Sequence, residues 1–135
     1  MTIQWSTTVR NARLDAIETA IGTSAVLKIR TGAPPANCAA SDSGTVLISY
    51  SLASDWAGAA SGGVKTFNNT PLSGTASGTG TAGHYRIYAS DGTTCHEQGT
   101  VTITAGGGDM TIDNTSIVSG QTVNVTAFSK TEAGA

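Results

Sequence analysis

The sequence predicts a mainly β chain, a sandwich or barrel of short strands preceded by one α-helix. Three observations carry that prediction. Apolar and polar side chains alternate with a period of two in several stretches, the pattern that sends successive side chains to opposite faces of a sheet. Clusters of Gly, Asn, Asp, Ser and Pro separate those stretches at intervals of roughly ten residues. The composition is rich in Gly, Ser, Thr and Ala, with 12% charged and 5% aromatic residues, which suits many turns and small packed side chains.

The helix comes first. Ile3 and Trp5 lie on one side of a short extended arm, and a Trp this near a terminus is expected to dock on something. Ser6 or Thr7 can cap a helix that runs to about Ile21, with Gly22 as the residue that ends it. At about 100° per residue, Val9, Ala12, Leu14, Ala16, Ile17, Ala20 and Ile21 form a broad apolar arc. Asp15 and Glu18 fall opposite, toward water. Arg10 and Arg13 fall inside the arc, either snorkelling at the edge of the core or marking a protein interface, where Arg is enriched.

From Ala25 the period switches to two. Leu27 and Ile29 alternate with Val26, Lys28 and Arg30, and Ala33-Pro34-Pro35 ends the strand because proline cannot continue a ladder. Residues 36–44 are read as a loop. Val46, Ile48, Tyr50 and Leu52 make a second strand, and Val64 to Phe67 a short third. Residues 73–83 are low in complexity and are expected to be a flexible connection. Their Gly78-Thr-Gly80-Thr-Ala-Gly83 matches a dinucleotide fingerprint only formally, because a strand follows it and no βαβ frame surrounds it.

The central hairpin follows. Tyr85, Ile87 and Ala89 alternate with His84, Arg86 and Tyr88, which are assigned to a polar face. Ser90-Asp91-Gly92 turns the chain, and Val101 and Ile103 resume the alternation. Gly106-Gly107-Gly108-Asp109 is a further turn, Met110 and Ile112 a short strand, and Val123, Val125 and Ala127 the last strand. The expected organisation is one domain: arm and helix over 1–22, sandwich over 23–129 and polar tail over 130–135.

The totals bound the function. Seven Lys and Arg against nine Asp and Glu give a net charge of −2, with no basic stripe of the kind that binds nucleic acid. No apolar run approaches the roughly 20 residues that span a bilayer, so no membrane partner is expected. The first residues lack the charged and apolar regions of a signal peptide, so synthesis in a cytoplasm is expected. Cys38 and Cys95 are expected to be free thiols packed as small hydrophobes, with a bridge left open should the protein reach oxidising surroundings.

No catalytic, cofactor-binding or metal site is predicted. The only histidines are His84 and His96, both read as surface residues, and Cys95-His96-Glu97 lacks a further ligand at a recognised spacing. Strand neighbours point to opposite faces, so Cys95 and His96 could share an ion only across a bulge. Asp42, Asp55, Asp91, Asp109 and Asp113 sit beside small or turn-forming residues and are read as turn makers. Trp56, Tyr85 and Tyr88 are the one plausible platform for stacking on a sugar.

A resemblance takes the reading further. Its segments are Arg10-Asn11-Ala12-Arg13-Leu14-Asp15-Ala16-Ile17, Leu27-Lys28-Ile29-Arg30-Thr31-Gly32-Ala33-Pro34-Pro35-Ala36-Asn37 and Gly83-His84-Tyr85-Arg86-Ile87-Tyr88. Ser90-Asp91-Gly92-Thr93, Gln98-Gly99-Thr100-Val101, Asn114-Thr115-Ser116-Ile117-Val118 and Val123-Asn124-Val125-Thr126-Ala127-Phe128 complete it. In that order they resemble a family of small tailed-bacteriophage proteins found near capsid genes, some of which are similar to the cement, or decoration, proteins of phage heads. The resemblance spans nearly the whole chain and departs at Cys38 and Cys95-His96, where small or aliphatic residues are expected. It implies a jelly-roll-like antiparallel β-sandwich without catalytic residues, located on the virion. The implied partners are the major capsid protein and further copies of the chain, as a dimer or trimer. Ile3, Trp5, Arg10 and Arg13 are the candidate partner interface. A head or tail fibre module, or an adhesin binding host glycans through Trp56 or Tyr88, is the alternative; the absence of an internal repeat ranks it lower.

Overall fold

The computed structural model describes residues 3–68 and 72–132. It is mainly β, with one N-terminal helix and a curled mixed sheet closed over a single core. Ser6 is extended, its Oγ accepts the Val9 amide at 3.3 Å, and α1 (Thr7–Ile21) begins there. Gly22, at φ +88°, donates its N–H to the Glu18 carbonyl at 2.9 Å and ends the helix, a left-handed position that a Cβ would disfavour.

The strands are β1 (Val26–Thr31), β2 (Val46–Ser51), β3 (Val64–Thr66), β4 (Leu72–Thr75), β5 (Gly80–Tyr88), β6 (Cys95–Ile103), β7 (Met110–Ile112), β8 (Ser116–Ile117) and β9 (Thr122–Thr131). The order across the sheet is β2-β1-β5-β6-β7-β9-β3, with β4 also paired to β9 and β8 to β5. Pairing is antiparallel except between β6 and β7, where Val101 opposes Met110 in parallel register. The expectation of an all-antiparallel sheet is corrected at that one step. Only six residues join these parallel strands, where a crossover of a dozen or more is usual. The glycines make it possible. Gly108 donates to Thr102 Oγ1 at 3.0 Å, and a Cβ on Gly106 or Gly108 would sit within 3 Å of the Thr102 side chain, so the loop folds flat against β6.

The core lies on the inner face. Leu27 and Ile29 of β1, Ile48 and Tyr50 of β2, Tyr85 and Ile87 of β5, and Val123, Val125 and Phe128 of β9 are buried there. Each fully buried aliphatic or aromatic side chain contributes roughly 1.5–3 kcal/mol through removal of apolar surface from water. Trp56, Phe67, Phe128 and Tyr85 form a chain of rings with centroids 5.4, 5.1 and 5.1 Å apart, the last two contacts edge to face.

The helix docks differently from the expected arc. Leu14 and Ile21 are buried and Ile17 is half-buried, but Val9, Ala12, Ala16 and Ala20 face solvent. Asp15 and Glu18, expected to face water, instead turn toward β3. Lys65 Nζ lies 2.8 Å from Asp15 Oδ1 and 3.0 Å from Glu18 Oε2, while the amides of Ala60 and Ala57 donate to the same two side chains. Asn11 Oδ1 accepts from Gly63. The acidic residues are therefore attachment points between the helix and the 57–65 segment.

The run over 73–83 is also not a loose connection. Its first part is β4, paired with β9 from Leu72↔Val125 to Thr75↔Thr122, and β5 begins at Gly80. The glycines are there for close approach. A Cβ on Gly74 would lie 2.7 Å from the Tyr50 ring, one on Gly78 2.5 Å from the Val46 carbonyl oxygen, and one on Gly83 would collide with the Gly32 backbone. The predicted polar tail is partly strand: Lys130 and Thr131 pair with Lys65 and Val64, Glu132 is described beyond them, and residues 133–135 lie outside the described residues.

Candidate functional site

The predicted interface residues gather at the N-terminal end of α1. Ile3 is 69% and Trp5 41% exposed, and Val9 is exposed on the first turn of the helix. Arg13 stacks over the Trp5 ring, its guanidinium carbon 5.4 Å from the centroid, and its Nη1 pairs with Glu132 Oε1 at 2.7 Å. Arg10 is half-buried, donating to the Glu132 carbonyl at 3.4 Å and to Thr7 Oγ1 at 3.2 Å. The two arginines thus tie the helix to the end of β9, and Arg13 also carries the arm. Ala12, Ala16 and Ala20 are also exposed on the solvent side of the helix, with Arg13 among them. A single exposed apolar residue is ordinary; Ile3, Trp5 and Val9 are three exposed apolar residues close together in sequence.

The opposite side of the sheet holds a buried polar layer. His84, Arg86 and Tyr88 do occupy the face away from the core, as alternation requires, but the loop over 33–44 covers them. His84 is fully buried, its Nδ1 donating to the Gly32 carbonyl at 2.8 Å, so its assignment to the surface is corrected. Arg86, 2% exposed, gives Nη1 to Asp42 Oδ1 at 2.7 Å and Nη2 to the carbonyls of Asn37 and Ala40 and to Gln98 Oε1. Asp42 is the hub: Tyr88 donates to Oδ1 at 2.7 Å and Arg30 to Oδ2 at 2.8 Å. Burial alone would raise the Asp42 carboxyl, but the hydrogen bonds from Tyr88 and Arg86, with the charges of both arginines, hold it below the ordinary range. Burial pushes the Tyr88 hydroxyl up to about 12. Asp42 is a cross-link between loop and sheet rather than a turn maker.

A bulge opposite Ile87 and Tyr88 shifts the register of β6 and brings Cys95 opposite Tyr88. Cys95 Sγ meets Cys38 Sγ of the covering loop at 2.7 Å. His96 is exposed and lines a groove of about 500 Å³ between α1 and the sheet. In that groove Glu97 Oε1 accepts from the Tyr85 hydroxyl at 2.8 Å and pairs with Lys130 Nζ at 2.9 Å, and Lys130 also lies 3.8 Å from the Phe128 centroid. Burial pushes the Tyr85 hydroxyl up and the Lys130 ammonium down, with Glu97 opposing the second shift. Tyr85 and Lys130 thus share one acceptor in the groove, the Glu97 carboxylate. Among the described residues no group of three His, Cys, Asp or Glu side chains is placed to hold a metal ion, and no helix is long and apolar enough to cross a membrane.

Trp56, Tyr85 and Tyr88, the suggested sugar platform, are all buried. The signal that could have found the buried layer was present but local reasoning could not use it: Arg30, His84, Arg86 and Gln98 share one face at cross-strand spacing, too many hydrogen-bonding groups for a bare surface next to a proline-rich loop. Comparison with protein-family models, with curated proteins and with solved structures returned no match.

Proposed function

We propose that this chain is a non-catalytic structural protein of a tailed-phage virion, which binds the outside of the assembled capsid and strengthens the contacts between major capsid proteins. The observation that carries this reading is the exposure of Ile3, Trp5 and Val9 together with the outward alanines of α1. The helix is anchored from its other side by Asp15 and Glu18, so that face is presented on a fixed support, and Trp is a residue type that anchors interfaces. The sequence resemblance supplies the identity of the partner. Limited contact area per copy is compensated by repetition over the shell, where many weak contacts act together. Binding of further copies of the chain as a dimer or trimer belongs to the same proposal.

The alternative, a fibre or glycan-binding module, is disfavoured by the burial of Trp56 and Tyr88. Co-sedimentation of the purified protein with heads that lack it tests the reading. Saturable binding at a fixed ratio to the capsid protein is the expected result, and absence of binding at micromolar protein would overturn it.

A further inference from the structure

The loop over 33–44 reaches the sheet through polar contacts to Arg30, Arg86, Tyr88 and Gln98, and through a single pair of sulfur atoms. Cys38 lies on the loop and Cys95 at the first position of β6, 57 residues away in sequence, with their Sγ atoms 2.7 Å apart. A bond of about 2.05 Å needs the two sulfurs to close by less than an ångström from there. We infer that Cys38 and Cys95 are a dithiol–disulfide pair, which a low-molecular-weight disulfide oxidises to an intramolecular bridge fastening the loop to β6.

The surroundings fit this chemistry. An open recess of about 710 Å³ beside the pair is walled by Ala39, Ala40, Ser41, Thr93 and Thr94, small side chains that leave a reagent room to reach the sulfurs. Burial, and then the contact with Cys38, push the Cys95 thiol up to about 12, so the reduced pair rests as thiols and exchange is slow until a thiolate forms. The Arg86 guanidinium acts in the other direction, favouring the Cys95 thiolate that must form during exchange. One protein thiolate attacks the external disulfide, forming a mixed disulfide and releasing one reagent thiol. The second protein thiolate then attacks the protein sulfur of that mixed disulfide and releases the other. Two S–H bonds are lost and one S–S bond forms; the electron pair reduces the reagent disulfide to two thiols, which take up the two protons. The bridge closes a long ring, which restricts the unfolded chain more than a short one does. The inference is independent of the capsid reading.

The experiment uses the full chain and oxidised glutathione. After oxidation and denaturation, an alkylating reagent should leave both cysteines unmodified, the intact mass should be lower by two hydrogen atoms, and a digest should contain the Cys38 peptide joined to the Cys95 peptide. Reductant should restore two alkylatable thiols. The oxidised protein should melt higher than the reduced by about 10 °C. The double variant Cys38→Ser/Cys95→Ser should melt with the reduced protein and show no response to oxidant. Two alkylatable thiols after oxidation, stable glutathione adducts, bridges between chains, or a bridge without a gain in melting temperature would each overturn the inference. The mass and digest readings need no variant, so they stand even if the serine substitutions fail to fold.

Discussion

Asp42 Oδ1 and Arg86 Nη1 meet at 2.7 Å, joining a surface loop to the middle of the fifth strand. The guanidinium is almost fully buried, whereas the carboxylate side chain keeps 38% of its exposure. The pair therefore does two things at once: it neutralises a charge inside the sheet and it closes the loop over it. With Arg30 and Tyr88 sharing the same carboxylate, one residue of the loop satisfies three donors from the sheet.

Removing that hub should be among the more damaging single changes outside the apolar core. Asp42→Ala leaves Arg30 and Arg86 without their carboxylate, and we expect a loss of about 2–3 kcal/mol in urea unfolding. Breaking a fully buried pair costs about 3–5 kcal/mol, and the partial exposure of Asp42 reduces that figure. Asp42→Asn, which keeps an acceptor, should lose less. Equal stability of Asp42→Ala and the parent would contradict the arrangement.

The two sides of β5 show what was readable in advance and what was not. Alternation placed Tyr85 and Ile87 on one face and His84, Arg86 and Tyr88 on the other, and both assignments of side hold. Strand period says nothing of what covers a face, so the second set was expected at the surface when a loop twelve residues long lies over it. The helix failed for a related reason: Asp15 and Glu18 find Lys65 and two backbone amides far away in sequence, and those partners outweigh the preference of a carboxylate for water. The ends of the helix, by contrast, were legible because Ser6 and Gly22 are local capping signals.

The glycine of the fourth strand gives a second stability prediction. Gly74→Val places a branched side chain against Tyr50, whose hydroxyl donates to the Val123 carbonyl at 2.9 Å. Overpacking of this kind costs about 1–3 kcal/mol. Ser73→Val, at an exposed position of the same strand, should stay within about 0.5 kcal/mol of the parent. If β4 were a loose linker, both variants would be silent in chemical denaturation.

Stability should fall at both ends of the pH scale. The carboxyls of Asp15, Asp42 and Asp91 are depressed in the folded protein, Asp91 down to about 2 through the hydroxyl and amide of Thr94 and the amide of Thr93. A depressed acid contributes stability that is present above its unfolded value, 3.8, and is lost as pH falls through its folded value. The acid limb therefore lies below about pH 4. At the other end, burial raises the hydroxyls of Tyr50, Tyr85 and Tyr88. The Lys65 ammonium is also raised: burial opposes its charge, but the hydrogen bonds and charges of Asp15 and Glu18 outweigh it. Each of these groups holds its proton more tightly folded than unfolded, so stability declines above about pH 10. Thermal melts across pH check both limbs, and a melting temperature flat from pH 5 down to pH 2 would refute the acid limb.

Trp5 separates binding from folding. Its ring meets the Arg13 guanidinium at an exposed site, a contact worth about 0.5–1 kcal/mol. Trp5→Ala should therefore melt within a few degrees of the parent, while its affinity for phage heads falls by about tenfold or more, the loss typical of an anchoring aromatic. Deletion of residues 1–5 should do the same in co-sedimentation. Unchanged occupancy would remove the arm from the interface.

Image reconstruction of purified virions made with and without this chain tests whether its surface binds the outside of a capsid. Density of its size is expected on the outer shell, at joints between capsomers, with α1 and the arm against the major capsid protein, and should be lost from particles made without the chain. Identical shells in the two reconstructions would contradict it.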